Sequence, residues 1–187
     1  MRKLIPIDQV SPEQVDGLRE TVEAQLINKA AASRSDVKGW KCRELLSFTD
    51  LGIIVGGQGI ATANYWGTGV LVASTAVVYV PNTQLAANEF VGIYGIAIRD
   101  AAPCVIEVLL QTGQGASTKA RWNLESLYAS LQPIGISPEW IYYGGQDTIQ
   151  VTLWPNAVGK AVGADGVADH IELVGLMCKP AGDVISM

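Results

Sequence analysis

Near the start of the chain, apolar residues recur at helical spacing. In SPEQVDGLRETVEAQLINKAAAS, Val15, Leu18, Val22 and Leu26 fall at steps of three and four and form one stripe, while Glu13, Asp16, Glu20, Glu23 and Lys29 take the other face. Ser11 fits the N-cap, Pro12 the first helical position and Gln14 the return partner of a capping box. The pattern predicts a helix over 11–32, weakened by about 1 kcal/mol at Gly17. SRSDVKG then reads as a linker. At Trp40 the period changes to two. Trp40, Cys42, Glu44, Leu46 and Phe48 alternate with Lys41, Arg43 and Ser47, as in a half-buried strand. Further strands are predicted at 51–55, 69–73, 76–80, 91–99, 105–112, 140–143, 148–154 and 170–178, separated by Gly/Pro/Asn/Asp turns. WIYYGGQDTIQVTLW reads as a hairpin in which Gly144 and Gly145 take positive φ. KARWNLESLYASL, within 114–132, reads as either strand or short helix. One helix followed by eight or nine short strands predicts an antiparallel sandwich or barrel rather than β-α alternation.

LGIIVGGQGIATANYWGTG raises the question of a phosphate-binding loop. Gly57, Gly59 and Thr62 would fill the three fingerprint positions, so the third fails. NYWGTG cannot open a helix, and no acid follows near position 80. The stretch is therefore expected to be strand, glycine-mediated bend and strand, with no cofactor.

Composition sharpens this picture in two places. The chain has 187 residues, 49% apolar and only 17% charged, which fits one folded domain. Residues 1–43 carry a net +2 and the remainder −7, and residues 51–88 hold no Asp, Glu, Lys or Arg at all. That gap reads either as central strands with neutral loops or as a surface covered by another subunit. Lys29, Arg34, Lys38, Lys41 and Arg43 form a basic group between helix and barrel. It reads as a solvated linker or as a contact with an anionic surface such as lipid headgroups, not as a sequence-specific nucleic-acid site. The apolar run GVLVASTAVVYVP is short of the roughly 18 residues a span needs, and LIPI after Arg2 and Lys3 is too short for a signal peptide. Cys42, Cys104 and Cys178 are expected as reduced thiols of a cytoplasmic product.

Candidate chemistry is sparse. The single histidine, His170, opens the last strand and has no G-x-S-x-G partner. Asp165, Asp169 and Glu172 read as a solvated acidic loop or as oxygen donors for Ca²⁺. Tyr65, Trp66, Trp140, Tyr142 and Tyr143 fill a core, anchor a subunit contact or stack on sugars. No catalytic set, metal set or cofactor loop is predicted, and the chain is read as not an enzyme.

In FVGIYGIAIRD, CVIEVLLQTG, IYYGGQDTIQVTLW and HIELVGLMCKP, over roughly 40–179, the chain resembles the small single jelly-roll major capsid proteins of icosahedral viruses with an internal membrane. The resemblance implies a mainly β, antiparallel jelly-roll sandwich or barrel of about eight strands with an N-terminal α-helix. Residues 1–39 would form an arm and 40–187 a single β-barrel domain. It also implies a self-assembling coat subunit made in the host cytoplasm and resident in the virion. The partners would be copies of itself, a second coat protein and membrane headgroups, with no small-molecule substrate. Val15, Leu18, Val22, Leu26, Tyr65 and Trp66 are the candidate assembly contacts, and Lys29, Arg34, Lys38, Lys41 and Arg43 the candidate anionic-surface contacts. The alternative is a carbohydrate-binding, lectin-like sandwich that stacks sugars on Trp66 or Trp140.

Overall fold

The computed structural model describes residues 4–52, 58–60, 65–100, 102–113, 117–129 and 134–182. In chain order these give β1 (Ile5–Pro6), a 3-10 turn (Ile7–Gln9), α1 (Pro12–Ser33), β2 (Trp40–Glu44), α2 (Ser47–Leu51), β3 (Gln58–Ile60), β4 (Tyr65–Gly67), β5 (Val77–Gln84), β6 (Phe90–Ile98) and β7 (Val105–Thr112). They continue as β8 (Ser117–Asn123), α3 (Glu125–Ala129), β9 (Ile134–Tyr143), β10 (Thr148–Pro155) and β11 (His170–Pro180). The strands form two antiparallel sheets. One runs β1-β9-β6-β11-β4-β3, with β2 also paired to β11, and the other runs β5-β10-β7-β8.

Consecutive long strands mostly change sheet. β5 lies in the smaller sheet, β6 in the larger, β7 and β8 in the smaller, β9 in the larger, β10 in the smaller and β11 in the larger. This interleaving is jelly-roll topology, as expected. It overturns the predicted hairpin at 140–154, because β9 and β10 belong to different sheets. The turn between them is a sheet-to-sheet corner in which Gln146, at φ 69°, takes the left-handed conformation expected of Gly144 or Gly145. Gly145 is needed for space instead, since a Cβ there would lie 2.4 Å from the carbonyl oxygen of Ala87.

The main core fills the space between the sheets, with Trp66, Tyr79, Trp122, Tyr143, Ile93, Ile96 and Leu153 among its buried members. A second apolar layer lies on the outer face of the larger sheet, where Val22, Leu26 and Ala30 of α1 cover Phe90, Tyr94, Ile136 and Leu176. The larger sheet is thus buried on both faces, which is why β6 reads as an unbroken apolar run and every residue in it is buried. A register shift between Ile93 and Gly95 lets both Val91/Ile93 and Ile96/Ile98 point into the main core. Gly92 lies beneath α1, where a Cβ would stand 2.8 Å from Val22 Cγ1 and 2.9 Å from Leu26 Cδ1.

α1 begins as the capping pattern predicts: Gln14 N donates to Ser11 Oγ at 3.3 Å and Ser11 N donates to Gln14 Oε1 at 2.9 Å. Three strand expectations need correction, and one open choice has its answer. Position 51 closes α2 and the rest of 51–55 is not described beyond Gly52; 69–73 contributes only a bridge from Leu71 to Lys160. The strand predicted from Trp40 to Phe48 ends at Glu44, and β8 followed by α3 shows that 117–129 is strand and then helix. In the glycine stretch β3 pairs antiparallel with β4, and among the described residues no helix follows directly.

Candidate functional site

The second apolar layer covers the larger sheet; on the outward face of the four-stranded sheet Gln150 and Thr152 are nonetheless buried, at 8% exposed each. On β10, Ile149, Val151 and Leu153 enter the core, so Gln150, Thr152 and Trp154 point outward. Val78 of β5 lies opposite Thr152. Beyond the end of the sheet, the chain around Leu71 runs beside the chain around Lys160. Leu71 N donates to Lys160 O at 2.9 Å, Lys160 N donates to Leu71 O at 2.8 Å, and Ser74 N donates to Asn156 O at 2.9 Å. These two neighbouring segments, 70–78 and 154–162, carry all six strongly exposed large apolar residues among those described: Val70, Val72, Val78, Trp154, Val158 and Val162. Val158 is the extreme, at 85% exposed. Its orientation follows from the turn, in which Asn156 Oδ1 accepts from both Val158 N and Gly159 N at 2.9 Å. Gly159 sits at φ 73°, and a Cβ there would lie 2.4 Å from Leu71 O. The sharp turn therefore forces Val158 out.

A charged hub holds these loops in place. Asp169 is fully buried. Its Oδ1 accepts from Lys160 Nζ at 2.7 Å, and its Oδ2 accepts from Cys104 N at 2.7 Å and Val105 N at 3.0 Å. Asp169 N in turn donates to Thr68 Oγ1 at 2.8 Å. Lys160 Nζ also donates to Ala102 O at 3.0 Å. Burial alone would lower the pKa of Lys160, but the hydrogen bond and charge of Asp169, with Asp100, carry it above the ordinary value. His170 stands between Asp100, 3.2 Å from Nδ1, and Asp165, 3.3 Å from Nε2. Glu172 pairs with Arg99 at 2.6 Å. The three acids read as possible Ca²⁺ donors are thus each engaged by a cationic or imidazole side chain. Among the described residues no group of three His, Cys, Asp or Glu side chains is arranged to hold a metal ion.

The residues singled out in the sequence are dispersed. Val22 and Leu26, expected at a subunit contact, are fully buried in the chain's own second core, because the stripe of α1 covers the larger sheet. Leu18 is partly buried and lines a groove of about 220 Å³ with Ile5, Val10, Ile136 and Pro138; Val15 is half-buried. Trp66 is also core. It packs edge-on to Tyr79 with centroids 5.7 Å apart and donates from Nε1 to Gly52 O at 3.2 Å, so neither a subunit nor a sugar reaches it. The side chain of Tyr65 lies outside the described residues. Trp140 is half-buried, edge-on to Tyr142.

The basic group does not form one patch. Lys41 and Arg43 project from the face of β2 opposite Trp40 and Cys42, which pack toward α1. Arg43 is tied to Asp50 at 2.5 Å and Arg34 to Asp36 at 2.8 Å, while Lys29 Nζ sits 4.7 Å from the centroid of the Tyr142 ring. Lys38 and Lys41 are exposed. Strand alternation and local carboxylates therefore divide the positive charge. Sequence reasoning passed over Val158, Val162 and Trp154. The available signal was a pair of apolar loop residues in VGKAVGADGV, a segment with no strand pattern to bury them.

No family model and no curated protein matches the sequence. Among solved structures, the chain is similar to the C-terminal CBM6 of LamC, a marine laminarinase of Zobellia galactanivorans, at 10% identity and a TM-score of 0.35, covering 74% of this chain and 99% of that one. At that score the likeness carries no argument.

Proposed function

We propose that the chain is a self-associating structural subunit and, more narrowly, a coat subunit of a viral particle. The observation that carries this reading is the confinement of the exposed Val70, Val72, Val78, Trp154, Val158 and Val162 to two segments that run beside each other. Isolated exposed apolar residues are ordinary on a monomer, but a set confined to two adjoining segments marks an interaction surface. Coat subunits are among the proteins built on a jelly roll, and the fold supports the reading without establishing it. A contact that joins this surface of one subunit to a different surface of the next would repeat into a shell. Light scattering against concentration, with negative-stain images of the same samples, tests it. Oligomers, sheets or closed particles are expected; a monomer at every concentration and salt level would overturn it.

A second reading has its own observation. Trp154, 39% exposed, shares the outward face of β10 with Gln150 and Thr152, which are buried and meet Gln111 of β7: Thr152 Oγ1 donates to Gln111 Oε1 at 2.7 Å, and Gln150 Nε2 to the same oxygen at 3.2 Å. An exposed indole supplies an apolar face on which a sugar ring can stack. Glycan-array binding lost in Trp154→Ala would favour that role over assembly.

A further inference from the structure

Cys42 and Cys178 are directly opposed across the antiparallel pair β2–β11. Two main-chain bonds fix the kind of site they occupy. Leu45 N donates to Gly175 O at 2.9 Å, and Ala181 N donates to Gly39 O at 2.7 Å, in the same register. Hydrogen-bonded pairs therefore fall at 39, 41, 43 and 45 of this ladder, and Cys42 with Cys178 forms a non-hydrogen-bonded pair. At such sites opposed Cα atoms are about 4.5 Å apart and side chains approach most closely. That separation lies within the roughly 4.4–6.8 Å range that disulfides span. Both thiols are free in the structure.

We infer that Cys42 and Cys178 form a reversible cross-strand disulfide, a redox-controlled staple that ties β2 to β11 beneath α1. Cys178 is fully buried, whereas Cys42 is half-buried at the edge of the helix, its Sγ 4.0 Å from Glu23 O. A low-molecular-weight disulfide such as oxidised glutathione therefore meets Cys42 first. Cys42 Sγ, as thiolate, forms a bond to one glutathione sulfur and breaks the glutathione disulfide, and the departing thiolate takes up the proton that Cys42 lost. Cys178 then attacks Cys42 Sγ and expels the second glutathione as its thiolate, which is protonated in turn. The net change oxidises two protein thiols and reduces one glutathione disulfide to two thiols. The neighbouring Cys42 lowers the pKa of Cys178 against the opposing effect of burial, while Cys178 and burial raise that of Cys42, so exchange at the accessible Cys42 is the slow step and the closing attack by Cys178 the fast one.

The staple has structural leverage because β11 is the only strand among the described residues that β2 pairs with, and β2 carries the linker to α1. It also joins a strand near the start of the chain to the last strand, closing a long loop in the unfolded state, where restriction is greatest. Its formation does not depend on whether the chain assembles.

The test incubates the whole folded chain with graded ratios of oxidised to reduced glutathione, traps free thiols with an alkylating agent, and reads intact mass and joined peptides. Loss of two hydrogens, a peptide pair linked through Cys42 and Cys178, and a rise in Tm of about 5–10 °C are expected, all reversed by dithiothreitol. Cys42→Ser should abolish the link and the shift. Cys104→Ser should keep both, because Cys104 lies elsewhere, buried with its Sγ 3.6 Å from Asn156 Oδ1. Wild-type protein whose two thiols both stay alkylatable, or whose Cys42 holds glutathione with no internal link, would overturn the inference.

Discussion

Asp169 ties together the segments around Thr68, Cys104 and Lys160. Its carboxylate satisfies two main-chain amides and one ammonium with no solvent contact. Removing one partner from such a set leaves buried donors unpaired. Asp169→Ala is therefore expected to cost about 3–5 kcal/mol in chemical denaturation, and a loss under about 1 kcal/mol would contradict this account. Glu89 supplies the pH dependence. Burial would raise its pKa, but Lys179 at 2.7 Å and the amide of Ala86 hold it below the ordinary carboxylate value. With the folded pKa below the unfolded one, its contribution is complete above the unfolded value and disappears as pH falls through the folded value. Glu89→Gln should thus be less stable than wild type at neutral pH, with urea midpoints converging on acidification; a gap independent of pH would rule this out. None of these pairings was legible in the sequence. Asp169 looked like one of three loop acids, since its partners at Cys104 and Lys160 come from other segments.

At the scale of elements, α1 was legible because its signals are local: a cap, a proline, a return glutamine and a stripe. What the stripe covers is not a local property, and an amphipathic face looks the same whether it meets its own sheet or a neighbour's. The structure assigns Val22 and Leu26 to the chain's own second core, against Gly92. Val22→Asp, which buries a charge there, should lower stability by about 3 kcal/mol or more rather than block assembly of an intact fold. Thermal unfolding reads this directly; an unchanged Tm would return α1 to the role of a detachable arm. Gly92→Ala tests the same contact from the other side, with an expected cost of about 1–3 kcal/mol from overpacking. Long strands such as β7, β10 and β11 were legible from their composition. The two- and three-residue strands were not, having too few residues for a period. The turn at 144–147 misled because YYGGQD has hairpin composition, while the change of sheet is decided by packing beyond the turn.

For the whole molecule, the sequence carried the two-sheet architecture through its spacing of short strands, and it carried the anomaly of residues 51–88 without a charge. Part of that segment is core, as at Trp66, Leu71, Tyr79 and Val80, and part is exposed, as at Val70, Val72 and Val78. Central strands thus account for the missing charge in the core part, and the exposed part is the surface that the proposed assembly would cover. The second half of the exposed surface, at 154–162, could not be joined to the first by sequence, because the two meet through tertiary contacts, the bridge between Leu71 and Lys160 and the bond from Ser74 N to Asn156 O. A contact made by this surface is apolar, so association should persist or strengthen at high salt, whereas an electrostatic contact would weaken. Val70 and Val158 are exposed at 60% and 85%, so charges introduced there should leave the fold and Tm unchanged. The most direct test of the assembly surface is sedimentation velocity of wild type beside the double variant Val70→Asp, Val158→Asp over a concentration series. The account predicts wild-type species that grow with concentration and a folded variant that stays monomeric or associates at least about tenfold more weakly. Indistinguishable profiles, or a monomeric wild type throughout, would contradict it.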